Sequence, residues 1–324
     1  MKLLQVLSAV FLLAVAQAGA QDIRSEKYPR PGGAAAQLLK RPRPEPKTWE
    51  VTAGVGMISD ANISHLLVNS PVNSNAKVKD NIRHLSAGFS AEPAFAKSAA
   101  LELSYSFDDF AYRTHTTFNY RTHSLSAGLK PGLGAGWKLD LGLDLDLVGD
   151  KSGTIAEDGA AHSGVIWYGP DSLRIKGGYE RGRDNIKTNT LKNSDTNAAY
   201  LSANRRFLKR HLAFVSLRWQ AHGANGPDYS FKSRSAVLGL ISKWTPRFKL
   251  VAAAVRIEKD YDNVDTRFLK TRREATNSVM LKPVFTITRG LYAMGSFTYI
   301  ENHSNVAMKN YSDRIYSVGL EGRF

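Results

Sequence analysis

The 324-residue chain contains no cysteine. That absence excludes a disulfide framework, a zinc–thiolate site, an iron–sulfur cluster and a thiol nucleophile. Long apolar runs are missing after the first twenty residues and the mean hydropathy is -0.30, which excludes a bundle of transmembrane helices. A phosphate-cradling glycine-rich loop is missing too, because the glycines are scattered through alternating stretches and turns. With 43% hydrophobic and 10% aromatic residues the chain is not a disordered one. A soluble globular protein or a transmembrane β-barrel remains, the latter because alternation dilutes its apolar residues.

Negative charge is scarce relative to positive, with 29 acidic against 44 basic residues and a formal net charge of +15. Such a balance favours anionic partners. The first residues say where to look for them. Lys2 precedes an apolar stretch from Leu3 to Val15, broken only by Gln5 and Ser8, and the small-x-small sites Ala16-Gln17-Ala18 and Ala18-Gly19-Ala20 follow. Residues 1–20 read as a secretory signal peptide cleaved before Gln21, which sends the chain to the bacterial envelope. Nucleic acid is therefore not an expected partner. Outer-membrane lipid, lipopolysaccharide phosphates near the basic loops, and small solutes or ions are.

Residues 21–47 change in kind. Pro29, Pro31, Pro42, Pro44 and Pro46 punctuate them, and Arg24, Lys27, Arg30, Lys40, Arg41, Arg43 and Lys47 outnumber Asp22, Glu26 and Glu45. The composition is that of an extended periplasmic arm, either a spacer or a basic segment that enters a lumen or meets an acidic partner.

From residue 48 to 324 the pattern has a period of two. Trp137, Leu139, Leu141, Leu143, Leu145 and Leu147 alternate with Lys138, Asp140, Gly142, Asp144 and Asp146. A helix would scatter those charges around its surface, whereas a strand gathers them on one face. Fourteen such stretches occur, at 48–58, 82–92, 98–108, 121–132, 136–148, 160–169, 172–181, 196–207, 210–221, 233–244, 248–259, 276–288, 290–301 and 312–324. Each approaches the ~9–11 residues a tilted strand needs to cross a bilayer. Long polar connections at 59–81, 109–120, 149–159, 182–195, 222–232, 260–275 and 302–311 alternate with short ones. The expected fold is all-β: a transmembrane antiparallel up-and-down barrel of about fourteen strands, with short turns on one side and longer loops on the other. A secreted β-sandwich or soluble barrel is the alternative, but its strands average about five or six residues.

If the apolar face meets lipid, the other lines the lumen. The expected lumen-lining residues are Glu50, Glu102, Asp108, Asp140, Asp144, Asp146, Arg174, Lys176, Glu180, Arg218, Lys243, Arg256, Glu258, Lys282 and Arg323. Carboxylates dominate the early strands and cations the later ones, an arrangement able to orient polar solutes by a transverse field. An open lumen and one blocked by paired charges or by the arm both fit the sequence. No catalytic set is expected. Asp140, Asp144 and Asp146 spread over about 20 Å at ~3.3 Å per residue, and neither His162-Ser163 nor His303-Ser304 puts base and nucleophile on one strand face. No cofactor and no metal site are expected.

The last stretch alternates through Tyr316, Val318 and Leu320 and ends on Phe324. This end resembles the insertion signal of bacterial outer-membrane barrels, which implies recognition of Phe324 by the barrel assembly machinery. After the first stretch stands Ser59-Asp60-Ala61-Asn62-Ile63-Ser64, and before the last come Asn302-His303-Ser304-Asn305 and Tyr311-Ser312-Asp313-Arg314. These segments are similar to the first loop and final hairpin in the barrel domain of surface lipoprotein assembly modifiers and related β-barrel porins. Asp60, Asn62, Asn302 and Asn305 are the matching positions, and a fourteen-strand barrel is the implied fold. A surface lipoprotein client is the implied partner for a protein-handling role, beside passive solute passage and a non-conducting structural role. The sequence departs from the modifiers in carrying no tetratricopeptide domain, for which residues 21–47 are too short.

Overall fold

The computed structural model describes residues 49–61, 79–96, 99–208, 210–266 and 268–324. The expected signal peptide, the Pro-rich arm and Asn62 lie outside the described residues. The first half of the sheet consists of β1 (Trp49–Asp60), β2 (Asp80–Ala91), β3 (Ala94–Ala96), β4 (Ala99–Tyr112), β5 (Tyr120–Gly134), β6 (Trp137–Asp150) and β7 (Gly153–Tyr168). The second half is β8 (Arg174–Ile186), β9 (Ser194–Phe207), β10 (His211–Ala224), β11 (Phe231–Lys243), β12 (Phe248–Asp265), β13 (Lys270–Thr288), β14 (Leu291–Ser304) and β15 (Tyr311–Arg323). β3 is a three-residue step on the edge of β4, so fourteen long strands form the wall.

Each strand pairs antiparallel with its neighbours in the chain, β2 passing over β3 to join β4. The ring closes where β1 meets β15, from Thr52 opposite Arg323 to Asp60 opposite Ile315. Phe324 extends that seam, its N–H donating to the Val51 carbonyl at 3.0 Å. A closed up-and-down barrel has no free edge, the condition for burying a sheet in lipid. Among the described residues no helix is long and apolar enough to cross a membrane.

Alternation sorts the side chains. Leu143 and Leu238 are each 63% exposed and Val318 is 65%, all on the outer face. From Trp137 to Leu147 the outward side chains of β6 are uninterruptedly apolar. Those ten steps make about 33 Å of strand, or about 25 Å of height at a ~40° tilt, the height of the apolar band of a membrane barrel. Near the short turns the band carries Trp49, Trp137, Phe207, Trp244, Phe285 and Phe324, all well exposed, and Trp137 lies 6.2 Å from Trp167. At the opposite end charged residues appear on the outer face: Arg83 on β2, Asp109 on β4, Arg121 on β5, Arg181 on β8, Arg234 on β11 and Arg314 on β15.

The strands run past the expected spans toward this charged end. The expected 149–159 loop is a two-residue turn, since β6 ends at Asp150 and β7 begins at Gly153, whose φ of 119° suits glycine. Likewise the expected 260–275 loop is mostly strand, β12 reaching Asp265 and β13 starting at Lys270. Above the apolar band both faces meet water, so the period of two disappears while the backbone ladder continues. The loops that remain are stitched to one another. Ile186 N–H donates to Asn193 Oδ1 at 2.7 Å and Tyr112 N–H to Asn119 Oδ1 at 2.7 Å, each closing a short 3₁₀ turn. Asn225 N–H reaches the Asn193 carbonyl at 2.8 Å and Asn263 Nδ2 the Pro227 carbonyl at 3.0 Å, tying one loop to the next around the rim.

Candidate functional site

The inner face of the barrel gathers charge away from bulk water, and it divides into two walls. On β1 to β6 the mid-height residues are small: Thr52, Gly54, Ser86, Ser104, Ser126 and Gly128 face inward in register. On β10 to β13 large apolar residues are buried on the inner face. Leu212, Phe214, Val237, Ile241 and Val251 form an apolar cluster inside the barrel near its short-turn end, with Val255 and Met280 against it. A second inner cluster, including Ile58, Ile82, Phe110, Tyr120, Val148 and Ile186, sits toward the loop end of β1 to β8. Apolar side chains therefore occupy the lumen along β10 to β13 near its short-turn end.

Charges are embedded between these clusters as pairs. Lys130 donates to Glu102 at 2.5 Å and lies 3.8 Å from Asp140. Asp140, 1% exposed, also takes Lys176 from β8. Arg174, 2% exposed, stands over the Tyr168 ring at 5.8 Å, and Lys176 over the Tyr200 ring at 5.1 Å. At mid-height Arg218 Nη1 and Nη2 donate to the two oxygens of Glu180 at 3.0 and 2.7 Å, a bidentate bridge from β10 to β8. A charge buried in this way persists only when paired. Asp144 accepts from Ser126 Oγ at 2.6 Å and lies 3.3 Å from His162 Nδ1. The ring of His162 lies over Gly142, where an added Cβ would fall 2.2 Å from it. Asp108 lies 2.8 Å from His84 Nε2. Near the seam Arg323 Nε donates to Glu321 at 2.5 Å, and Lys282 is buried on the same inner face of β13.

Thirteen of the fifteen expected lumen residues thus sit on the inner face, Glu50 and Asp146 by the parity of their strands and Lys243 at the short-turn end of β11. Arg256 and Glu258 do not. Both point outward from β12, 59% and 46% exposed, and Arg256 Nη2 donates to Glu258 at 2.7 Å. The run Leu250-Val251-Ala252-Ala253-Ala254-Val255 is apolar on both faces, so its alternation carried no sign of which side meets lipid. The inner apolar cluster claims the odd positions.

Several inner residues had gone unassigned. Lys130, His84 and His162 have the right parity within expected spans. Asp158 and Asp184 fell in stretches read as loops, yet Asp146, Asp158 and Asp184 are directly opposite one another on β6, β7 and β8. Arg272, 3.6 Å from the Tyr261 ring and 3.5 Å from Asp265, was hidden in the same way. Of the loop positions, Asp60 is buried at the end of β1. Asn302 accepts from Thr276 Oγ1 at 2.6 Å and donates to the Lys309 carbonyl at 2.7 Å. Asn305 accepts from Arg273 N–H at 2.8 Å and donates to the Thr271 carbonyl at 2.8 Å. Both asparagines tie loop to strand.

A closed barrel of fourteen antiparallel strands with an outward apolar band, aromatic residues at its lower edge and a polar interior defines the class of outer-membrane β-barrels. Among solved structures it is similar to the anion-selective porin from Comamonas acidovorans, with 10% identity and a TM-score of 0.51 over 86% of this chain and 99% of that one. It is also similar to the outer membrane channel DcaP of Acinetobacter baumannii, with 9% identity and a TM-score of 0.51 over 85% and 97%. At such identities the likeness is one of fold. No curated protein matches the chain. Residues 49–324 match the family described as surface lipoprotein assembly modifier, and the chain belongs to that family.

Proposed function

We propose that this protein is an outer-membrane barrel that serves the assembly of lipoproteins at the cell surface. The observation that carries this reading is the family match, which spans the barrel from its first strand to its last residue. The apolar cluster on the inner wall of β10 to β13 supports it, because a general diffusion pore needs a wide aqueous lumen. In this reading residues 1–20 direct export and are removed, Phe324 marks the chain for the barrel assembly machinery, and the barrel itself performs no chemistry. Deleting the gene and scoring protease accessibility of co-expressed surface lipoproteins on intact cells tests it. Surface exposure is expected to fall and to return with the full chain. Unchanged exposure with the barrel absent would overturn the reading.

Passage of small solutes is the second reading. It is favoured by the small-residue wall of β1 to β6, whose serines lie beside Asp108, Asp144 and Asp146. A water-filled path along that wall would prefer cations. Cation selectivity reduced by Asp144→Asn in planar bilayers would support it, and an absence of conductance steps from folded protein would remove it.

A further inference from the structure

The outer face of β8 to β11 carries arginines that nothing in the fold accounts for. Above the apolar band, Arg181 and Arg183 of β8 and Arg234 of β11 are exposed and make no hydrogen bond or ion pair among the described residues. Their neighbours behave differently. Arg256 is held by Glu258, Lys187 by Glu157 at 2.7 Å and Lys232 by Asp262 at 3.9 Å, while Asp195 lies opposite Arg183 and Glu258 opposite Arg234 in the ladder with no ion pair to either arginine.

Register sets the spacing. Arg181 is opposite Asn197, Asn197 opposite Ala221, and Ala221 opposite Lys232, so Arg181 and Lys232 are three strands, or about 14 Å, apart. Arg234, two residues along β11 and opposite Trp219, is about 16 Å from Arg181. Between them the outward residues Ala199, Ala221 and Gly223 are small and leave a shallow floor, beside Asn197, whose Oδ1 accepts from the Tyr179 hydroxyl, and Asp195 at its upper edge. Tyr179 and Trp219 stand two residues below Arg181 and Ala221, in the same ladder row as Arg234, where amphipathic rings meet lipid headgroups. Beside Arg183 a depression of about 350 Å³ is lined by Leu145, Glu157, Gly159, Asn185 and Asn193, apolar at its base and amide-lined above.

We infer that this face binds a phosphorylated disaccharide lipid of the outer leaflet, one phosphate on Arg181 and Arg183 and the other on Arg234. Planar guanidinium groups pair bidentately with phosphate oxygens, and they lie at the height where such headgroups lie when the loop end faces outward. The small floor admits the sugar rings and the apolar band below takes the acyl chains. The site is on the outer surface and does not depend on what the lumen does.

The test is native mass spectrometry of the full folded chain in detergent, titrated with diphosphorylated lipid A and with its dephosphorylated form. Wild type is expected to retain the phosphorylated lipid at least tenfold more tightly than R181Q/R183Q/R234Q, with the dephosphorylated lipid bound no better than the variant binds either. R205Q, on the same face near the short turns, is the control and is expected to match wild type. Heat-modifiable migration in gels confirms that each variant folds. Equal retention by wild type and triple variant, equal retention of both lipids, or an equal loss in R205Q would overturn the proposal. Displacement by inorganic phosphate alone at matched concentration would reassign the arginines to free anions and overturn it as well.

Discussion

Glu180 and Arg218 show what a buried charge demands of its surroundings. The guanidinium is 5% exposed and spends two donors on one carboxylate. Removing the carboxylate alone leaves a buried cation uncompensated, at a cost of about 3–5 kcal/mol. Removing both partners takes away the penalty together with the attraction. Urea unfolding in lipid vesicles, followed by tryptophan fluorescence, is expected to place Glu180→Ala several kcal/mol below wild type. Glu180→Ala combined with Arg218→Leu is expected to recover most of that loss. A single variant as stable as wild type would mean that Arg218 is solvated in the lumen. The individual inner residues on β6, β8 and β10 were readable from parity, because their outward neighbours are unmistakably apolar. Their partners were not, since Lys130 reaching Glu102 and Asp140 depends on which strands the ring brings side by side.

At the scale of the strand, what decides orientation is contrast between faces. β11 has it: Leu238 and Leu240 point out while Val237 and Ile241 pack inside, and Arg234 and Lys232 mark where the band ends. β12 lacks it through six residues, and there the sequence pointed Arg256 and Glu258 the wrong way. The two assignments make opposite demands on mutants. Leu238→Arg, at mid-band, is expected to cost about 2–4 kcal/mol of folding stability in vesicles. Arg256→Leu is expected to change little, because an exposed pair contributes at most about 1 kcal/mol. Reversal of that order would place Arg256 inside after all. Strand ends were the other blind point. Above the band the ladder persists without alternation, so hydrophobic period understated β6, β7, β12 and β13, although it located where each of them crosses the band.

For the whole molecule, the number of strands sets a circumference and the side chains decide how much of it stays open. Fourteen strands lie between the filled eight-stranded barrels and the aqueous sixteen-stranded porins. Here the inner apolar cluster occupies the β10 to β13 side, the Glu180–Arg218 bridge spans β8 to β10, and a second cluster sits at the loop end of β1 to β8. The small residues at mid-height of β1 to β5 therefore line the least filled part of the wall. Conductance in planar bilayers is accordingly expected to fall well below that of a sixteen-stranded porin measured in the same salt. Phe214→Ser with Arg218→Ser is expected to raise it. Wild-type conductance equal to the porin's would show that the inner wall is not packed.

The period of two, the fourteen lipid-crossing stretches and the aromatic residues at their lower ends belong to the linear sequence, because each strand meets the bilayer on its own account and must show it an apolar face. The pairing of charges, the packing of one inner wall and the row of unpaired outer arginines are properties of the closed ring. They arise between residues tens of positions apart, whose proximity exists only once β1 and β15 have met and every strand has a fixed neighbour on both sides.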